Sequence, residues 1–545
     1  MSMRTRVPVS PLVVAAVTLA MSAARADSPS FDSHDNGRGQ IRHVLLVSVD
    51  GLHAVDLANC EKAGTCPELA KLAQHGITYA NASTTMPSDS FPGLMAMLTG
   101  GTSKSTGVYY DDAYDRTLFA PGSDCTDGPG TETALAENLD KDLNFLNGGV
   151  PASFTTNSAN AIDPSLLPGA LVNGQCRPVW PHSFVRVNTV FGVLHKHGMR
   201  TAWSDKHPAY DLINGAGGPA NGPGTNVDDF FAPEINSPVS AANVALVTSN
   251  PPAGLVNPAI DFTGSIQAVQ FYDGIKVAAT LNQIRGLDHA GAKRVGVPAL
   301  FGMNFQSVSV GQKLPSNGYQ DSRGTPSAGL ASSIRFVDQS MGQLVKALED
   351  NGLARSTLVI VSAKHGQAPI DPTRFTRIPD NTVLTPALNA FSGSDAFHIA
   401  DDAVLAWLKP GQQADTNAVI DSLIQQQQAG TNLGLGKVYS GAELALRFAN
   451  PQTDSRVPDF IISPNLGVVY ANKPSKIAEH GGFGEDDTHV ALLVSGPGLH
   501  GETVSTAVQT TQIAPTILES LGLEGAELEA VKLEGTRSLP DLLEH

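Results

Sequence analysis

The run from Ile41 to Val49, IRHVLLVSV, followed at once by Asp50-Gly51, constrains the fold of this chain more than any other stretch. A strand wetted on one face alternates apolar and polar residues. This one is apolar nearly throughout, so it is buried on both faces, as strands of helix-covered parallel sheets are. Val297 to Val310, Thr357 to Ser362 and Val490 to Ser495 read as further buried strands. Helices are expected over Cys66 to Gly76, Ser90 to Leu98, Ser332 to Leu348 and Gln509 to Leu521. In the third of these, Ile334, Val337, Met341, Leu344 and Leu348 recur at helical spacing. The alternation predicts an α/β fold, a mostly parallel central sheet flanked by helices on both faces. Two stretches break the pattern. Thr102 to about Pro258 is rich in Gly, Pro, Asn and Asp and reads as a loop-rich insertion. Residues 397–478 carry their own helix (Asp415 to Gln428) and strands (Asp459 to Ser463, Gly467 to Ala471), and read as a smaller α+β cap on a core of 27–396 and 479–545.

The first 26 residues have the form of a signal peptide. Arg4 and Arg6 precede an apolar run from Leu12 to Met21, and Ala24-Arg25-Ala26 forms a small-residue cleavage site. That run is shorter than the roughly 20 residues a spanning helix needs, so the mature chain is expected in the periplasm or secreted, with no membrane span. All four cysteines lie beyond the cleavage site. An even count in an exported chain implies two disulfides. Cys60–Cys66 with Cys125–Cys176 is the most local pairing, and four free thiols are the alternative. The net charge of −17 argues against binding nucleic-acid duplexes, which calls for a basic face. Glycine-rich nucleotide-binding signatures are absent.

Asp50 stands at the carboxyl end of a strand, where open α/β sheets bind ligands. Ser90 lies in Thr85-Met-Pro-Ser-Asp-Ser-Phe-Pro-Gly93, ahead of an apolar helix ending at Thr99-Gly100. A serine there is either a helix cap or a hydroxyl beside unpaired backbone amides that favour a phosphoryl oxygen. With Val49-Asp50-Gly51, Ser90-Phe91-Pro92 and Thr99-Gly100 in order, the chain resembles the alkaline phosphatase superfamily, in particular its type I phosphodiesterase/nucleotide pyrophosphatase branch. Lys364-His365-Gly366 after an apolar strand resembles the family's Asp-His-Gly. His480-Gly481-Gly482 resembles its last ligand histidine, and Thr510 to Gly522 its closing helix. The resemblance implies an exported, metal-dependent hydrolase of phosphodiester or pyrophosphate bonds acting on a small-molecule phosphate ester. It implies Ser90 as nucleophile forming a covalent phospho-enzyme, with Asp50, Ser90, His365 and His480 as ligands of a divalent metal, zinc in the family. Phosphonate, phosphomonoester or sulfate ester hydrolysis, or a catalytically degenerate binding protein, are the alternatives.

The chain also departs from the family. The family's Asp-x-x-x-His falls in Gln306 to Gln312, where its two ligands become Val308 and Gln312, and Lys364 replaces the Asp of Asp-His. An ammonium donates hydrogen bonds and does not ligate a metal. The substitutions lead to an expectation of at most one tightly held ion, with Lys364 binding a substrate oxygen, or of replacement ligands from Asp205, His207, Asp486, Asp487 or His489. Lys206 and His207 follow a short strand and are placed like the Lys-x-His with which sulfatases grip substrate oxygens.

Overall fold

The computed structural model describes residues 41–134 and 138–542; the expected signal peptide lies outside the described residues. The central sheet has eight strands. In chain order they are β1 (His43–Val49), β2 (Gly76–Tyr79), β3 (Ala202–Ser204), β4 (Asp229–Phe231), β5 (Leu300–Phe305), β6 (Thr357–Ser362), β7 (Leu492–Ser495) and β8 (Glu502–Val504). Across the sheet they run β8-β2-β7-β6-β1-β5-β3-β4. Only β7 is antiparallel to its neighbours; the other pairings are parallel.

Alternate residues of β1 feed two separate cores. Val44 and Leu46 pack on one face with Phe91, Leu94 and Met95. Leu45, Val47 and Val49 pack on the other with Ile334, Val337 and Met341. The first face is covered by α1 (Ser90–Thr99) and the second by α4 (Ala328–Asp350). With helices α2 (Ile266–Ile284) and α3 (Ser307–Lys313) added, this is the α/β architecture expected from the apolar strands.

Pairing is level along the central strands, with Ser48 facing both Asn304 and Ser362. The carboxyl ends of β1, β5 and β6 therefore deliver Asp50, Gln306 and Lys364 to one edge of the sheet. The expected strand from Val297 to Val310 ends at Phe305, and its second half is α3. The reason lies in α2. Asp273 accepts the backbone N–H of Gln306 (3.0 Å) and Ser307 (2.8 Å) and the Ser307 hydroxyl (2.5 Å). It thus satisfies the free amides of a helix start and stops the strand.

The Gly- and Pro-rich stretch between Thr102 and Pro258 supplies β3 and β4, so part of it belongs to the main sheet. Farther on, Asp395–Ala400, Val404–Leu408, Phe460–Pro464 and Leu435–Ser440 form an antiparallel sheet with its own apolar core and helix Thr416–Gln428. Disulfides join Cys60 to Cys66 and Cys125 to Cys176. Among the described residues no helix is long and apolar enough to cross a membrane.

Candidate active site

Ser90 is the first residue of α1 and is buried; Asp89 caps the helix by accepting the Phe91 N–H. A short polar residue before the first turn favours this start, and the aligned backbone dipoles place partial positive charge beside the Ser90 hydroxyl. The helix lies tight against the loop after β6. A Cβ on Gly93 would come 2.0 Å from the Lys364 carbonyl oxygen, so only glycine allows this approach. The Thr84 hydroxyl donates to that same carbonyl at 2.6 Å.

Two side chains converge on Ser90. The Lys206 ammonium donates to its Oγ at 3.0 Å, and His365 Nε2 lies 3.2 Å away. His365 Nδ1 is 2.7 Å from the Gly366 carbonyl, which can only accept, so Nδ1 carries the proton and Nε2 presents its lone pair to the Ser90 hydroxyl. Burial pushes the imidazolium down, against the pull of Asp50, which favours this neutral form. The Asp50 carboxylate is 3.6 Å from Lys206 Nζ and 3.5 Å from His365 Nε2. Its oxygens accept the Asn304 amide at 2.7 Å and the Gln306 amide at 2.6 Å. Burial alone would raise its pKa. The surrounding Lys364, His365 and Lys206 overcome that and hold the carboxyl well below the usual range.

Lys364 does not face Ser90. Its ammonium pairs with both Asp205 oxygens, at 2.9 and 3.1 Å, over the Tyr210 ring at 4.1 Å, and both partners are fully buried. Burial pushes this ammonium down while the carboxylates pull it up. Asp205 also accepts the Trp203 indole N–H at 2.9 Å and the Lys206 backbone N–H at 2.9 Å. The Lys364–Asp205 pair thus buttresses the loop that carries Lys206. Lys206 itself is pulled up by Asp50, Asp205 and Asp89 despite its burial. His207 bonds Glu234 at 2.9 Å. The His480 ring is 4.0 Å from that of His365, and its Nδ1 is 3.6 Å from Asp89. Asp89, buried, is pushed up to about 6.

The expected ligand stretch needs correction. Val308 is in the core behind the sheet, and Gln312 donates to the Gly51 carbonyl (2.7 Å) and the Tyr319 hydroxyl (2.8 Å). Because α3 begins at Ser307, the pair that reaches the site at that spacing is Gln306 and Val310, both lining the cleft. The supposed replacements are engaged elsewhere. Asp486 accepts the Ile370 N–H, Asp487 the Gly482 N–H, and His489 bonds the Ala80 carbonyl. Asn304, Gln306 and Asp89 went unnoticed in the sequence. The signal available was their place, directly at a strand end or beside the candidate nucleophile.

These residues do not fit the two-zinc centre that the family uses. Two of its carboxylate positions are Gln306 and Lys364, and one imidazole is Val310. Among the described residues no three His, Cys, Asp or Glu side chains converge as a ligand set. A cleft of about 590 Å³ opens over the site, lined by Lys206, His207, Gln306, Lys313 and His480, with Asp111 and Asp112 also on its wall.

No curated protein sequence matches the chain. Among solved structures, alkaline phosphatase PafA is similar at a TM-score of 0.60 and 15% identity, covering 90% of this chain and 97% of that one. Murine ectonucleotide pyrophosphatase/phosphodiesterase 5 is similar at 0.51 and 17%, covering 89% and 96%. An inactive variant of the murine protein in complex with AMP gives 0.52 and 16%, over the same shares. At these identities the likeness establishes the fold, which is alkaline phosphatase-like. The model of the family "type I phosphodiesterase / nucleotide pyrophosphatase" matches residues 44–486, from β1 to just beyond His480. By that match the chain belongs to the type I phosphodiesterase/nucleotide pyrophosphatase family of phosphoric ester hydrolases.

Proposed function

We propose that the chain is an exported hydrolase of phosphodiester or pyrophosphate bonds in small molecules, with Ser90 as nucleophile and a covalent phospho-enzyme intermediate in which Ser90 holds phosphorus together with the substituent the substrate retains. One observation carries this reading: the Ser90 hydroxyl stands at the start of a ten-residue helix with an ammonium at 3.0 Å and an imidazole nitrogen at 3.2 Å. The imidazole accepts the hydroxyl proton as oxygen attacks phosphorus, and the helix terminus and ammonium favour the charge that builds on the phosphoryl oxygens. The AMP complex of the murine relative supports a nucleotide-type substrate. The expected signal peptide and the two disulfides support export.

The test is hydrolysis of p-nitrophenyl diester, monoester and sulfate substrates, with mass spectrometry of acid-quenched enzyme. The diester should turn over fastest, with a phosphoryl group that retains the second ester substituent recovered on Ser90. Ser90→Ala should lower kcat by at least roughly 10³-fold, as nucleophile loss does in comparable hydrolases, while the circular dichroism spectrum stays unchanged. Full activity in that variant would refute the assignment. A faster monoester or sulfate reaction would move the substrate class.

A further inference from the structure

We infer that this enzyme transfers the phosphoryl group without a bound metal ion, the Lys206 ammonium standing at the cation position beside the nucleophile. The inference rests on the reading of Ser90 as nucleophile and goes beyond it by replacing the family's metal chemistry.

The ground is the donor set. A metal that activated Ser90 and was held by Asp50 and His365 would have to sit among those three groups. Lys206 Nζ is already there, 3.0 Å from Ser90 Oγ and 3.6 Å from Asp50. A dication touching both oxygens would lie against a fixed ammonium, and like charges in a buried site repel strongly. Asn304 and Gln306 donate to the two oxygens of Asp50, so amide donors and Lys206 already surround this carboxylate. At the other family position the only matching ligand is His480, since Gln306 and Val310 bring no carboxylate or imidazole. Lys364 completes the substitution. It pairs with Asp205, while Lys206 pairs with Asp50 and bonds Ser90. The buried centre therefore sets two ammonium groups, Lys206 and Lys364, against the carboxylates of Asp50 and Asp205, with Asp89 at the helix cap.

The chemistry balances without a metal. The Ser90 O–H proton passes to His365 Nε2 while the Oγ–P bond forms and the bond from phosphorus to the leaving oxygen breaks. The imidazolium then gives that proton to the leaving oxygen. In the second half a water attacks phosphorus, its proton goes to Nε2, the Oγ–P bond breaks and the proton returns to Ser90 Oγ. Lys206 stays protonated throughout and follows the charge on oxygen from the hydroxyl to the phosphoryl group.

The experiment uses the full mature protein, dialysed against EDTA, with metal content by elemental analysis, zinc titration by calorimetry, and hydrolysis of bis(p-nitrophenyl) phosphate. We expect no stoichiometric metal, no zinc site that His365→Ala removes, and the same rate before and after chelation. Lys206→Met should lose about 10²–10³-fold in kcat, the usual cost of removing one transition-state donor, with Lys206→Arg recovering part of it. Stoichiometric metal whose removal abolishes hydrolysis and whose return restores it would overturn the inference, and so would an unchanged rate in a folded Lys206→Met. Loss of activity on chelation with the p-nitrophenyl phosphoryl adduct found on Ser90 of the undialysed enzyme sinks the metal-free mechanism alone. Absence of that adduct from Ser90 in enzyme that turns over the diester sinks the nucleophile assignment. Should the diester not turn over, a zinc site lost in His365→Ala still overturns the inference, and its absence supports it.

Discussion

Lys364 carries the sharpest stability prediction. Its ammonium and the Asp205 carboxylate are wholly buried and bonded at 2.9 and 3.1 Å. Lys364→Met keeps the volume and apolar stem but leaves Asp205 with only the Trp203 indole and the Lys206 amide as close donors. An uncompensated buried charge of this kind costs about 3–5 kcal/mol. Asp205→Asn alone strands the ammonium over the Tyr210 ring. The double variant removes both charges, so its loss should fall short of the sum of the two single losses by at least about 2 kcal/mol. Urea unfolding followed by tryptophan fluorescence measures this, since Trp203 is buried beside the pair. The double variant should also lose turnover, because Asp205 fixes the Lys206 backbone. If Lys364→Met unfolds within about 0.5 kcal/mol of wild type, as ordinary surface substitutions do, the pair is not buried and charged, and the argument that Lys364 secures the Lys206 loop fails.

Two further outcomes are expected. His398, in the smaller sheet, lies 2.7 Å from Asp395 and 3.0 Å from Asp380. Burial opposes its charge, but the bonds to the two carboxylates prevail and push its pKa up to about 9. Because the folded pKa lies above the unfolded one, its stabilisation is complete below about pH 6.5 and is lost as pH rises through about 9, on the order of 3 kcal/mol in all. Thermal melts from pH 6 to pH 10 should show this fall, and His398→Gln should flatten it; an unchanged slope in that variant contradicts the assignment. Gly93→Ala forces a methyl to 2.0 Å from the Lys364 carbonyl oxygen. It should destabilise by roughly 1–3 kcal/mol, as overpacking does, and lower kcat by displacing Ser90; a variant with wild-type melting and turnover would show that the helix and loop are not in contact.

The sequence by itself determined the layered α/β fold, because burial on both faces writes a continuous apolar strand and an amphipathic helix into local periodicity. It also singled out Asp50, Ser90, Lys206 and His365, each at the end of a strand or the start of a helix, where side chains and unpaired amides meet. Only the tertiary structure decided how those groups are joined. Ser90 and His365 are 275 positions apart, Ser90 and Lys206 116, Lys364 and Asp205 159, and no local pattern specifies a contact across such distances. The clearest case is the stretch after β5. Its residues read as a continuation of the strand, but Asp273, 33 positions earlier, ends the strand by holding the amide of Gln306. That one capture turns Val308 into the core and Gln306 onto Asp50. It places the Gln306 amide against Asp50, while Lys206, from the loop after β3, brings its ammonium to Ser90.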